Sequence, residues 1–132
     1  MADISGIHHI SLTVSDLDVS TGWYSALFDV TVARRWATGD LEKAMLVDPD
    51  GKPVLILTTH GAEAVAGPFS ERRPGLDHLA FAVADTAALE QWRDRLDSLG
   101  IERSDIAEGS TGHLIAFRDP DNIALEFYTL IK

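Results

Sequence analysis

The chain contains no cysteine, which removes disulfides, zinc–thiolate sites and thiol chemistry from consideration. No apolar run approaches the ~20 residues needed to span a bilayer. Positive charge is scarce: 11 Lys and Arg stand against 21 Asp and Glu, a formal net charge of −10. Such a surface repels phosphate backbones and anionic lipid, so neither nucleic acid nor a membrane is expected as a partner. The opening residues, Met-Ala-Asp-Ile-Ser-Gly, have no basic start and no apolar stretch, and no secretory leader is expected. With the missing cysteine, this points to a cytoplasmic location.

What is present suffices for a core. The 132 residues are 45% hydrophobic and 24% charged, the balance of one globular domain of ordinary size. That domain is internally repeated. Gly6-Ile7-His8-His9-Ile10-Ser11-Leu12-Thr13-Val14-Ser15-Asp16 matches Gly75-Leu76-Asp77-His78-Leu79-Ala80-Phe81-Ala82-Val83-Ala84-Asp85. Each copy alternates in polarity, the period of a strand with two different faces.

A helix is expected after each strand, with Asp16 and Asp85 at its N-cap. The apolar stripes are Val19, Trp23, Leu27 and Phe28 in the first, and Leu89, Trp92, Leu96 and Leu99 in the second, which Gly100 closes. Trp23, Trp92 and Phe28 fit helix–sheet core. Leu46-Val47-Asp48-Pro49-Asp50-Gly51 then resembles Phe117-Arg118-Asp119-Pro120-Asp121-Asn122, a hairpin turn whose last residue tolerates positive φ. Strands Pro53–Thr59 and Ile123–Leu130 leave these turns. The expected layout is module one over about 5–59, a linker over about 60–74, and module two over about 75–132. Trp36 is expected in the core, and Arg34 with Arg35 reads as a solvated turn.

Strand alternation decides which side chains share a face. With Ile10, Leu12 and Val14 under a helix, His9, Ser11 and Thr13 face the other way. By the same logic His78, Ala80 and Ala82 share a face, as do Ala124, Glu126 and Tyr128. Three strands thus each present one metal-capable side chain among small neighbours. Two imidazoles and a carboxylate suit a divalent cation and leave positions open for water or substrate.

These motifs resemble the vicinal oxygen chelate superfamily, which includes glyoxalase I, methylmalonyl-CoA epimerase, fosfomycin-resistance enzymes, extradiol dioxygenases and bleomycin-resistance proteins. The carriers are His9-x-x-Leu12-x-Val14-x-Asp16, Trp23-Tyr24, His78-x-x-Phe81-x-Val83-x-Asp85, and the segment Asp119 to Tyr128. The resemblance implies an α+β fold of paired βαβββ modules, forming a curled mixed sheet around a central cavity, and a homodimer. It implies His9, His78 and Glu126 as ligands of a divalent metal, one of Fe, Mn, Ni or Zn. His8 fits less well, since it shares the parity of Ile10 and Leu12. Aligning the two Asp-Pro-Asp turns puts Leu55 opposite Glu126, where some members carry a fourth ligand; leucine cannot ligate.

The expected function is a metal-dependent enzyme that takes a small bidentate oxygen substrate, through lyase, isomerase, transferase or dioxygenase chemistry. Ser11, His113 and Tyr128 are candidate catalytic residues. Ser11 lies where fosfomycin enzymes carry a reacting hydroxyl or thiol; His113 reads as a surface residue or a pocket acid–base; Tyr128 shares the face of Glu126. The alternative is a metal-free protein of the bleomycin-resistance kind that sequesters an aromatic antibiotic or natural product.

Overall fold

The computed structural model describes residues 2–130; Met1 and residues 131–132, the expected end of module two, lie outside them. The chain divides into two compact units, Met1–Ala66 and Gly67–Lys132. Each has βαβββ topology, and the fold class is α+β. The linker expected over about 60–74 is therefore split between the units. Its first part holds a short 3₁₀ turn at Gly61–Glu63. Its second part is tied to unit 2, where Phe69 N donates to Asp121 O and Asn122 Nδ2 donates to Phe69 O.

Unit 1 consists of β1 (Ser11–Thr13), α1 (Leu17–Phe28), β2 (Thr31–Thr38), β3 (Leu41–Val47) and β4 (Pro53–Thr59). Its sheet order is β1-β4-β3-β2, with β1 parallel to β4 and the remaining pairs antiparallel. Asp16 caps α1 by accepting from Val19 N at 3.0 Å. The helix buries Leu17, Tyr24 and Leu27, while Val19 is 54% exposed. The expected stripe thus holds at Leu27 and fails at Val19, which lies about 200° around the helix from Leu17. Arg34 and Arg35 are not in a turn. They are successive residues of β2 and point to opposite faces.

Unit 2 repeats the plan with β5 (Leu79–Val83), α2 (Thr86–Ser98), β6 (Ala107–Glu108), β7 (His113–Arg118) and β8 (Ala124–Thr129), in the sheet order β5-β8-β7-β6. Asp85 caps α2 through Ala88 N at 2.9 Å. Leu89 and Leu96 are fully buried, and Trp92 stacks on Phe127 with ring centroids 4.4 Å apart. Leu99 is the C-cap and is 40% exposed, so the helix's apolar row stops short of it. Gly100 follows with φ +68°, as a helix terminator should.

The two hairpins differ by one residue. In unit 2 Arg118 pairs with Ala124 and Phe117 with Leu125. In unit 1 Val47 pairs with Pro53 but Leu46 pairs with Leu55, so Val54 is extra. Such a bulge shifts every later side chain by one position, and hence by one face. Ser11 consequently pairs with Ile56 where Ala80 pairs with Glu126. The counterpart of Glu126 is Ile56, and Leu55 is buried under the helix instead. The aligned turns did not carry that shift. Isoleucine ligates no better than leucine, so the position remains without a donor.

Candidate functional site in unit 2

Glu126 lies mid-strand in β8, flanked by Ala80 on β5 and Ala116 on β7. Methyl side chains on both sides leave space above the sheet. Burial follows the expected alternation, with Leu125 and Phe127 beneath and Glu126 on the other face. His78 stands immediately before β5. Its Nε2 is 3.5 Å from Glu126 Oε2, and its Nδ1 is 2.8 Å from Asp77 Oδ1. The His78 side chain is 44% exposed and that of Glu126 18%. With His78, Glu126, Asp77, Ala116, Ala124 and Arg118 among its walls, the cleft has a volume of about 390 Å³.

The hydrogen-bond logic of this pair is informative. Asp77 accepts the Nδ1 proton, which leaves Nε2 of the neutral ring as a lone pair aimed at a carboxylate. Two acceptors facing each other call for a cation between them, a proton or a metal. The Asp77 hydrogen bond, with the charge of Glu126 behind it, raises the His78 pKa above its usual value against the opposing effect of partial burial. Two donors about 2.1 Å from one tetrahedral ion stand about 3.4 Å apart, so the observed spacing fits a shared metal. A carboxylate on the far nitrogen of a metal-ligating histidine is the usual orienting partner.

The comparisons with known proteins bear on the whole chain. A family model described as the Glyoxalase/Bleomycin resistance protein/Dioxygenase superfamily matches residues 6–127. The chain belongs to this superfamily. Among solved structures, it is similar to a glyoxylase/bleomycin resistance protein/dioxygenase domain from Frankia sp. EAN1pec, at 38% identity and TM-score 0.86, covering 96% of this chain and 98% of that one. It also resembles a glyoxalase family protein from Enterococcus faecalis, at 23% identity and TM-score 0.76, over 94% and 97% of the two chains. The fosfomycin resistance protein FosX from Listeria monocytogenes, in a structure with Mn(II) and sulfate, shares the fold at 22% identity and TM-score 0.69, over 96% and 93%. No curated protein matches the chain.

Superfamily members bind small-molecule substrates, and the other expected site residues can be placed against that background. His9 precedes β1 in unit 1, is exposed, and has its Nδ1 2.8 Å from Nδ1 of His8. Ser11 Oγ lies 2.7 Å from Thr58 Oγ1. Tyr128 shares the face of Glu126, and its hydroxyl takes hydrogen bonds from Oγ1 and N of Thr111 at 3.3 and 3.4 Å, which lower its pKa. His113 shares the parity of the buried Ile115 and Phe117, so it lies on the helix side of the sheet, opposite Glu126. The residue is half-buried, and its Nδ1 is buried without a hydrogen-bond partner among the described residues.

Within neither unit do three or more His, Asp or Glu side chains of the described residues gather as a metal-binding group. Among the same residues no helix is long and apolar enough to cross a membrane. Two features of the site escaped the sequence. Asp77 adjoins His78 in the chain, and strand parity would send neighbours to opposite faces; the strand begins only at Leu79. Arg118 makes two parallel bonds to Glu71 at 2.9 and 3.0 Å across 47 residues, a pairing without any local signature.

Proposed function

We propose that the chain is a divalent-metal-dependent enzyme of its superfamily, with His9, His78 and Glu126 as protein ligands and a small substrate that presents two adjacent oxygens. The observation that carries this reading is the 3.5 Å approach of His78 Nε2 to Glu126 Oε2, with Asp77 holding the opposite nitrogen. His9 enters as the repeat counterpart of His78. The metal would supply Lewis acidity, stabilising negative charge that develops on substrate oxygen. The chain's own contributions are orientation and space. Asp77 fixes the tautomer of His78, while Ala80, Ala116 and Ala124 keep the floor of the cleft low. Tyr128, two residues beyond Glu126 on the same face, offers a hydroxyl donor polarised by Thr111.

The test is metal content by mass spectrometry on untagged protein, beside His9→Ala, His78→Ala and Glu126→Ala. FosX was crystallised with Mn(II), which makes manganese the first ion for reconstitution, followed by iron, nickel and zinc. Near-stoichiometric metal that is lost in all three variants supports the reading. Protein that takes up no metal after reconstitution overturns it in favour of metal-free ligand sequestration.

A further inference from the structure

The face of the unit 1 sheet that corresponds to the Glu126 face has a different chemistry. Arg35 pairs with the fully buried Ala44 and reaches Asp18 of α1 at 2.6 Å, which identifies the helix side. Arg34 and Trp36 therefore lie on the other side. Arg34 pairs with Met45 and Trp36 with Lys43; Met45 then pairs with Ile56, and Lys43 with Thr58. The result is two parallel rows. One runs Arg34, Met45, Ile56, Ser11; the other runs Trp36, Lys43, Thr58, Thr13.

Three properties of this face point one way. First, Arg34 and Lys43 form no ion pair among the described residues, in a chain whose net charge is −10. No Asp or Glu stands on the two rows; the adjacent Glu42 pairs with Ala37 and turns to Arg35 on the helix side. Second, the Arg34 guanidinium lies over the Trp36 ring, 4.9 Å from its centroid. That contact orders both groups without neutralising the charge. Third, Met45 and Ile56 put an adaptable apolar strip between Arg34 and Ser11, while Lys43 stands directly beside Thr58 of the Ser11–Thr58 hydroxyl pair.

We propose that this face binds the apolar body and carboxylate of an aromatic acid, with Trp36, Met45 and Ile56 beneath the ring and Arg34 and Lys43 on the carboxylate. Cations without an ion pair among the described residues, on rows that carry no Asp or Glu, select an anion and reject a cation. Arginine offers a planar fork that matches a carboxylate bidentately. The ligand class that results is an aromatic acid, and this carboxylate subsite does not depend on the proposed function.

The probe is 2-naphthoate, which has no adjacent pair of oxygen-bearing carbons, titrated into chelator-treated full-length protein beside the neutral 2-naphthamide. Binding is followed by calorimetry and by the Trp36 indole and Arg34 Nε–H signals in nitrogen-correlated NMR spectra. Naphthoate is expected to move both signals and to bind about tenfold more tightly than the amide, the worth of one charge-assisted hydrogen bond. Arg34→Gln and Lys43→Gln, both surface polar replacements, are each expected to weaken naphthoate about tenfold and to leave the amide unchanged. Equal affinity for acid and amide overturns the proposal. So does naphthoate binding that leaves Trp36 unmoved, or an absence of naphthoate binding. Since no metal is present, these outcomes are independent of whether His78 and Glu126 hold one.

Discussion

The carboxylate of Asp77 lies 2.8 Å from Nδ1 of His78, so the ring nitrogen aimed at the cleft is decided by a residue outside the strand. Removing that carboxylate frees the ring to rotate and to change tautomer. We expect Asp77→Ala to weaken divalent-metal affinity about 10–100-fold. The melting temperature should hardly move, because the Asp77 side chain is 75% exposed. Competition with a chromophoric chelator measures the first quantity and circular dichroism the second. Unchanged metal affinity would show that Asp77 does not orient His78.

The Glu71 carboxyl is held down to about 2 from an ordinary 4.5, chiefly by the Arg118 hydrogen bonds. Its folded-state pKa lies below the unfolded one. The stabilisation is therefore complete above pH 4.5 and fades as the pH falls from 4.5 towards 2. In Arg118→Met the Glu71 carboxyl should titrate close to its ordinary value. Carbon-detected NMR titration reads both midpoints. A midpoint near 4.5 in the parent protein would rule out a persistent pair.

A Cβ on Gly109 would overlap the hydroxyl and ring of Tyr128, which pass over the β6–β7 connection. Gly109→Ala must displace Tyr128 or open the turn closed by Gly109 N and Gly112 O. We expect a loss of about 1–3 kcal/mol in urea unfolding. Pairing the change with Tyr128→Ala should recover much of that loss, since the obstructing ring is then gone. Additive losses in the double variant would contradict the steric account.

Asp119 is 6% exposed, and its carboxylate accepts from Asp121 N and Ile123 N, both at 2.8 Å. Asp48 does the same for Asp50 and Lys52 in the first repeat, where water also reaches. Asp119→Ala strands two donors, one of them buried, and should cost about 1–3 kcal/mol. Asp48→Ala should cost less, as solvent takes over the freed donors. Equilibrium unfolding of the two variants checks the order; equal losses would show that burial does not separate them.

The repeat and its strand faces were legible in the chain because alternation is a local property. The repeat, the helix caps at Asp16 and Asp85, and the placement of Glu126 opposite Leu125 and Phe127 all follow from residues a few positions apart. The expected stripe of α1 fails at Val19 for an equally local reason. Val19 and Trp23 are apolar, and Ser20 and Thr21 are not, yet the helix start at Leu17 turns the latter pair inward.

The sequence by itself thus determined the fold family, the duplicated βαβββ plan and the absence of cysteine chemistry. Tertiary structure alone decided what depends on register and on distant pairs. The Val54 bulge made Ile56 the counterpart of Glu126, and the crossing of 47 residues joined Glu71 to Arg118. It also put Arg34 with Trp36 on one face of β2 and Arg35 with Asp18 on the other. Side-chain periodicity is written along a strand, whereas which strand lies beside it, and in what register, is set by the burial of the whole sheet.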